Sequence, residues 1–337
     1  MRSYQGWRKR MERKIVKEIK DRIEKANAIS LISHERPDGD AIGSLIAMGL
    51  GIERIGKKVK LLSPDDVPEV YRFLKGTEKI EKLNQLWNER ADICIFIDTA
   101  NPSRLGNDIN LKSLGKFIIN IDHHIDNKRY GDINFVDPTA SSTGELIYEI
   151  LSQWENLITP EIADALYTAI VTDSGRFSYE STSYKTHLIA ADLLSKGANK
   201  TIINKRIYEI KPFNVLKLIG EMLSRAQLAF GGKVIWSFIT LESFEKHGVN
   251  LLDSEGFLQF LRMAEGIKLA ILFREIERGK IRVSLRSTDK ETKVREIATQ
   301  FGGGGHEMAA GCTIEANLES AKELLFKSIE EKYGWKA

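Results

Sequence analysis

The stretch 31–44, LISHERPDGDAIGS, places His34, Asp38 and Asp40 within seven residues, directly after an apolar run. Three further places carry the same chemistry: Asp98 in FIDTAN, the triplet Asp122–His123–His124 in INIDHHID, and Asp173 in AIVTDSGRF. Each has an ordinary reading when taken alone. Asp40 could cap the helix that follows it, Asp98 before Asn101–Pro102 could belong to a turn, and a lone histidine is more often structural than a ligand. Asp173 beside Gly175 could close a helix, although an acidic group there opposes the helix dipole. Jointly they point elsewhere, because gathered carboxylates repel and cost several kcal/mol to desolvate unless cations neutralise them. Oxygen and imidazole donors without thiolates suit Mn²⁺, Zn²⁺, Fe²⁺ or Mg²⁺. Six candidate ligands are too many for one ion with open positions. They fit two ions roughly 3.5–4 Å apart with a shared carboxylate, the arrangement of two-metal phosphoryl hydrolases. Pro37 and Gly39 would shape the first loop, and Gly43 and Ser44 would leave room where the helix start nears the ions.

The elements that must position these groups are legible as alternating patterns. NAISLIS (27–33), KVKLLS (58–63), DICIFID (92–98) and KFIINID (116–122) read as strands. The segments 40–56 and 65–90 have helical periodicity, and 142–154 and 160–175 read as two helices, the second with Pro160 in its first turn. Strands alternating with helices predict a mainly parallel sheet with helices on both faces. Acidic groups at its strand ends would then share the carboxyl edge where open α/β sheets bind ligands. From 186 to 228 the pattern stays helical, with breaks at Gly197 and Pro212, and reads as a linker. After Gly231–Gly232, strands at KVIWSFIT, IKLAILFRE and KIRVSLRS and helical patterns at 254–264, 291–300 and 316–333 predict a smaller α/β domain. The organisation expected is a first domain over 1–190, a helical linker over 191–228 and a second domain over 229–337.

Composition narrows the function. The 337 residues suffice for two cores, and the net charge of +3 is too mild to announce long nucleic acid as a partner. The two cysteines, Cys94 and Cys312, lie far apart in apolar or small-residue surroundings, which suits free thiols in a reducing cytoplasm. No apolar run approaches membrane-spanning length, and the charged amphipathic start lacks a signal-peptide core, so a cytoplasmic protein without membrane contact is expected.

The four stretches resemble the DHH phosphoesterase superfamily, named for the triplet standing here at 122–124. The pattern His34-x-x-Pro37-Asp38-x-Asp40-Ala41-x-Gly43-Ser44 is similar to its first motif at every defining position. The second half resembles the companion DHHA1 domain through Ser284–Leu285–Arg286–Ser287, Gly302–Gly305 with His306, and Ala309–Ala310–Gly311. The combination is similar to the branch of nanoRNases, pAp phosphatases and linear dinucleotide phosphodiesterases. The resemblance implies one metal held by His34, Asp38 and Asp98 and a second held by Asp40, Asp98, His123 and Asp173. His124 would contact the scissile phosphate and protonate the leaving oxygen, making His124 and Asp98 the catalytic pair, with Asp122 orienting the loop. Mn²⁺ is the ion such families imply, with Mg²⁺, Co²⁺, Fe²⁺ and Zn²⁺ as alternatives.

In the second domain, Gly303, Gly304 and Gly305 would let backbone N–H groups approach a phosphate. His306, Arg286, Ser287 and, more weakly, Arg262 would hold the terminal phosphate or nucleotide, Arg by its planar fork. The implied activity is hydrolysis of short oligoribonucleotides and of pApA or pGpG to 5′-mononucleotides by a two-metal hydroxide attack, together with pAp 3′-phosphatase activity. A homodimer is consistent with the resemblance. Rival readings are a cyclic di-AMP phosphodiesterase, a RecJ-like single-strand exonuclease, and a non-enzymatic nucleotide-binding sensor. A family II pyrophosphatase would share the metal motifs but not the glycine-rich nucleotide-binding pattern.

Overall fold

A computed structural model describes residues 2–83, 90–105, 110–254 and 256–336, with backbone only at 2–13, 252 and 306. The chain separates into two compact units, Met1–Ile210 and Lys211–Ala337.

The first unit runs α1 (Arg2–Lys25), β1 (Ala28–Ile32), α2 (Gly39–Arg54), β2 (Lys58–Ser63), β3 (Ile80–Lys82), β4 (Ala91–Ile97) and α3 (Leu111–Leu114). It continues through β5 (Gly115–Asp122), β6 (Ile133–Val136), α4 (Thr143–Leu151), α5 (Pro160–Asp173), α6 (Tyr184–Ser195) and α7 (Lys200–Asn204), which passes into a π-turn at Lys205–Glu209. Its six strands form one sheet in the order β3-β2-β1-β4-β5-β6, and every pairing is parallel. The chain builds outward from β1 to β3, then returns to lay β4 on the other side of β1. The topological switch point therefore falls between the carboxyl ends of β1 and β4, where such sheets bind ligands.

Because successive side chains alternate across a strand, Ile29, Leu31, Ile93, Ile95, Ile97, Ile119 and Ile121 share one face. They pack there with buried residues of α1, α2, α4 and α5. The other face carries Ile32, Leu62, Cys94, Phe96 and Ile118 under a smaller apolar layer that includes Leu105, Leu111 and Leu114. Two turns of glycine chemistry bring α2 close to α5. A Cβ on Gly43 would stand 2.4 Å from the Ala165 carbonyl oxygen, and one on Gly39 would stand 2.4 Å from Thr172 Oγ1. Gly43 thus serves helix-to-helix approach rather than space beside the ions, which corrects the role expected for it.

The helical expectation for 65–90 also fails where the structure describes it. Pro68 and Gly76 cut the segment into 3₁₀ turns at Glu69–Tyr71 and Thr77–Lys79, followed by the edge strand β3. Pro68 directly precedes the first turn, and Gly76 takes φ +103° before the second, so no piece is long enough for an α-helix. Residues 84–89 of that expectation lie outside the described residues.

The second unit runs α8 (Phe213–Ser224), β7 (Gln227–Ala229), β8 (Val234–Ile239), α9 (Leu241–His247), α10 (Leu258–Arg262), β9 (Leu269–Glu277) and β10 (Lys280–Ser287). It ends with α11 (Val294–Gln300), β11 (Gly304–His306), β12 (Ala309–Ile314) and α12 (Leu318–Tyr333). Its sheet has the order β11-β12-β10-β9-β8-β7, antiparallel except between β8 and β9. Ile271, Phe273, Val283, Leu285 and Cys312 face α11 and α12, while Ile235, Ala270 and Leu272 face α8, α9 and α10. The helical stretch 186–228 is accordingly divided, with α6 and α7 in the first unit and α8 in the second. No described helix is long and apolar enough to cross a membrane.

Candidate metal centre

Each predicted ligand of the first unit sits at a strand or helix end facing the switch point. His34 follows β1, Asp38 caps α2 and Asp40 lies in its first turn. Asp98 directly follows β4 with φ +55°, a left-handed conformation that costs a non-glycine residue about 1 kcal/mol or more. Asp122 is the last residue of β5, with His123 and His124 beyond it, and Asp173 is the last residue of α5. The loops are fixed by the carboxylates themselves. Asp38 Oδ1 accepts the backbone N–H groups of Asp40 and Ala41, each at 3.1 Å, which caps α2.

The side chains converge into three overlapping groups whose ligand atoms lie within 4.8 Å of one another: His34, Asp38 and Asp98; Asp40, His123 and Asp173; Asp98, His123 and His124. Asp98 is central and points one oxygen to each side. Its Oδ2 stands 3.4 Å from His34 Nε2, and its Oδ1 stands 3.9 Å from His123 Nε2 and 3.5 Å from His124 Nδ1. His123 Nε2 is 3.2 Å from Asp173 Oδ2 and 3.8 Å from Asp40 Oδ2.

A second layer holds this set. The start of α4 presents Thr143 N–H to Asp40 Oδ2 at 2.7 Å and Gly144 N–H to Asp40 Oδ1 at 2.9 Å. Ser44 Oγ donates to the same Oδ1 at 3.1 Å, and Thr143 Oγ1 donates to Asp98 Oδ1 at 2.9 Å. Asp122 Oδ1 accepts His124 Nδ1–H at 2.7 Å and the backbone N–H of His123 at 2.8 Å, and Asn127 Nδ2 donates to its other oxygen. That leaves His124 Nε2 outside the Asp122 bond. His34 Nδ1 lies 2.6 Å from the Glu35 carbonyl oxygen and 2.9 Å from Arg104 Nη2. Nδ1 thus lies between a carbonyl acceptor and a guanidinium donor, while Nε2 faces Asp98 Oδ2 at 3.4 Å.

The electrostatics are those of a carboxylate cluster whose nearby cationic side chain, Arg104, lies against His34 rather than against a carboxylate. Among the described residues, Asp38, Asp40, Asp98 and Asp173 have no Lys or Arg ion pair; His34, His123 and His124 stand within 4 Å of Asp98, and His123 within 4 Å of Asp40 and Asp173. Burial, then the charges of Asp98, Asp173 and Asp38, push the Asp40 carboxyl well above its ordinary range. Burial with the charges of Asp38 and Asp98 raises Asp173 to about 7, against the pull of His123. Burial would raise Asp98 too, but the hydrogen bond from His34 and the nearby imidazoles hold it below the usual carboxylate range. Burial lowers His124, yet the Asp122 hydrogen bond and the charges of Asp98 and Asp122 carry it up to about 10. Divalent cations would relieve the repulsion that raises Asp40 and Asp173.

In the second unit the predicted residues divide. Arg286 and Ser284 alternate with Leu285 along β10, so Arg286 lies on the sheet face away from α11 and α12. Arg262 ends α10. Ser287 points the other way and is buried, its hydroxyl donating to the Asp289 carbonyl oxygen in a turn, because alternation separates it from Arg286. Gly304–His306 pair with β12 as an edge strand rather than forming an open loop. A Cβ on Gly303 would lie 2.2 Å from Gly311 O and one on Gly305 would lie 2.4 Å from Ala309 O, whereas one on Gly304 meets open space. The His306 side chain lies outside what is described. Sequence reading missed Thr143, Gly144, Arg104 and Asn127. The Ser-Ser-Thr-Gly run at 141–144 was the available signal, an anion-favouring helix start that the periodicity alone presents as an ordinary helix.

Comparison with known proteins places the chain in a family. Residues 28–170 match the model of the DHH family, N-terminal domain, and residues 231–333 match the DHHA1 domain. A relative from Thermus thermophilus, named bifunctional oligoribonuclease and PAP phosphatase NrnA, is 30% identical over 324 residues, covering 95% of this chain and 94% of its own. The Bacillus subtilis protein of the same name is 31% identical over 300 residues, covering 86% and 90%. Among solved structures, an exopolyphosphatase-related protein from Bacteroides fragilis superposes with a TM-score of 0.89 at 28% identity, covering 95% of this chain and 96% of that one. Matched over both units and nearly its whole length, the chain belongs to the DHH–DHHA1 phosphoesterase family and is a phosphoric ester hydrolase.

Proposed function

We propose that this chain hydrolyses short oligoribonucleotides and linear dinucleotides such as pApA and pGpG to 5′-mononucleotides, and also removes the 3′-phosphate of pAp. The observation that carries the reading is Asp98, whose two oxygens face two different His/Asp groups at the switch point. The names of the T. thermophilus and B. subtilis relatives support the substrate class.

The donor set fits two divalent cations: oxygen and imidazole groups, buried at His34, Asp40 and Asp98, half-buried at His123 and Asp173 and exposed at Asp38, with no thiolate and no Lys or Arg ion pair to the carboxylates among the described residues. His34, Asp38 and Asp98 would hold one ion, and Asp40, Asp98, His123 and Asp173 the other, with Mn²⁺ proposed as the natural occupant. When bound, the ions lower the pKa of water and neutralise phosphate charge. The chain's own residues do the rest. Thr143, Gly144 and Ser44 keep Asp40 aimed by occupying its outward lone pairs. Asp122 fixes His124 through Nδ1, so Nε2 is the atom that carries a proton to the leaving oxygen. Water oxygen joins phosphorus, the bond from phosphorus to the 3′ oxygen breaks, and His124 supplies the proton that this oxygen needs. Arg286 supplies the grip on a phosphate.

The test is product analysis with Mn²⁺, each substrate paired with an EDTA control: pApA, a 5-mer RNA, a 24-mer RNA, cyclic di-AMP and pAp. Rapid conversion of pApA and the 5-mer to mononucleotides, lost in EDTA, is the expected result. Preference for the 24-mer or for cyclic di-AMP would overturn the substrate assignment.

A further inference from the structure

Glu145 is a buried carboxylate of the first unit that is not among the ligands of the metal centre. It lies in the first turn of α4 and is 1% exposed. Its Oε1 accepts three donors: Ser141 Oγ at 2.5 Å, Thr186 Oγ1 at 2.6 Å and the Ser141 backbone N–H at 3.3 Å. Ser141 and Thr186 are themselves fully buried. Lys185 Nζ stands 4.0 Å from Oε2 but pairs closely with Glu149. A carboxylate in such a place costs desolvation, which is offset only while those donors stay aimed at it.

The arrangement departs from ordinary helix capping. A glutamate at the third helical position usually reaches back to the N–H of the capping residue, whose own side chain caps the helix. Here the capping residue is Ser142, and its side chain makes no capping bond. The first two N–H groups of α4 go to Asp40 instead. Glu145 reaches past Ser142 to Ser141, and Thr186 in the first turn of α6 braces it from the other side. Thr186 is itself fixed by the capping box of α6, where its Oγ1 accepts the Ser183 N–H at 3.0 Å. Held by Glu145, Ser141 fixes the residue before it, whose carbonyl oxygen, Ala140 O, lies 3.3 Å from His123 Nδ1. A carbonyl only accepts, so this bond keeps a proton on Nδ1. Nε2 is then the ring atom that faces Asp173 at 3.2 Å and Asp40 at 3.8 Å.

We propose that Glu145 is a positioning residue for His123, acting through Ser141 and the Ala140 carbonyl, and that it sets the affinity of one cation only. That cation is the one assigned to Asp40, Asp98, His123 and Asp173. Among the described residues, neither His34 nor Asp38, assigned to the other ion, bonds to Glu145, Ser141 or Thr186. The inference rests on the two-cation reading given above and on no choice of substrate.

The metal-free, full-length chain is titrated with Mn²⁺ by calorimetry, as wild type and as Glu145→Met, Ser141→Ala and Thr186→Val. The last two each remove one donor and keep the test open if Glu145→Met does not fold. Lost support of a ligand predicts one class of site weakened about 10–100-fold, with single-donor variants at the lower end, and the other class within about twofold of wild type. Asp38→Ala, which strips a ligand from the other ion alone, identifies the affected class: adding Ser141→Ala to it should weaken the remaining ion by the same factor as in the single variant. Glu145→Gln keeps an oxygen acceptor for Ser141 and Thr186 and should restore most of the affinity, which a loss through general destabilisation would not predict. Equal weakening of both classes, weakening of neither, or a loss in Glu145→Gln as large as in Glu145→Met would overturn the proposal. A wild-type chain that binds fewer than two ions would instead remove the two-cation reading on which it rests.

Discussion

Thr143 reaches Asp98 through a single hydroxyl, and Thr143→Val removes that contact while keeping shape. Both residues are fully buried, and the Oγ1 to Oδ1 distance is 2.9 Å. The backbone N–H groups of Thr143 and Gly144 still hold Asp40, so the loss falls on Asp98 alone. A hydrogen bond to a charged group contributes about 1.5–3 kcal/mol. Lost contacts of this outer layer typically weaken metal affinity about 10–100-fold, which is about 1.4–2.7 kcal/mol. The two ranges agree, and Asp98 faces both ligand groups, so both Mn²⁺ affinities should drop by that factor. Calorimetric titration of the metal-free protein with Mn²⁺ measures this directly, and Thr143→Ser should restore most of the loss. Wild-type affinity in Thr143→Val, with the fold intact by circular dichroism, would refute the claim that this hydroxyl positions the shared carboxylate.

Gly43→Ala should destabilise the first unit by about 1–3 kcal/mol, since the new methyl meets the rigid Ala165 carbonyl at 2.4 Å; a lowered Tm checks it. Glu221 in the second unit accepts from Lys246 Nζ at 2.8 Å, Ser243 Oγ at 2.7 Å and His247 Nε2 at 2.9 Å, and its carboxyl is held down to about 2, first by Lys246. A depressed folded pKa contributes stability above the ordinary value near 4.5 and loses it as pH falls toward about 2. Glu221→Gln should therefore cost about 1–2 kcal/mol at pH 7, and its Tm deficit against wild type should shrink at pH 3; a deficit independent of pH would contradict this.

The candidate metal centre was legible because its chemistry is concentrated at strand ends, where each strand's apolar run makes the following acidic or histidine residue stand out. His34, Asp98, Asp122 and the two histidines all sit within two residues of a strand end in the folded chain. The parallel sheet followed from the same runs, whose period is set by burial. What the sequence hid are contacts decided by tertiary approach. Thr143 and Gly144 lie far along the chain from Asp40 and Asp98, and nothing in a helix start says which carboxylate it will meet. Ser287 was misread because the motif groups it with Arg286, while the strand's period of two sends them to opposite faces. The 65–90 segment was misread because apolar spacing outweighed Pro68 and Gly76, which limit every local piece to a turn.

Asp98→Ala bears most directly on the two-cation account. Bound Mn²⁺ per chain and turnover of pApA would be measured on the same preparation, with circular dichroism as the control for folding. The account predicts two ions per wild-type chain, fewer than two in the variant, and pApA hydrolysis reduced to background in a folded protein. A folded Asp98→Ala chain that binds two ions and cleaves pApA at the wild-type rate would contradict it.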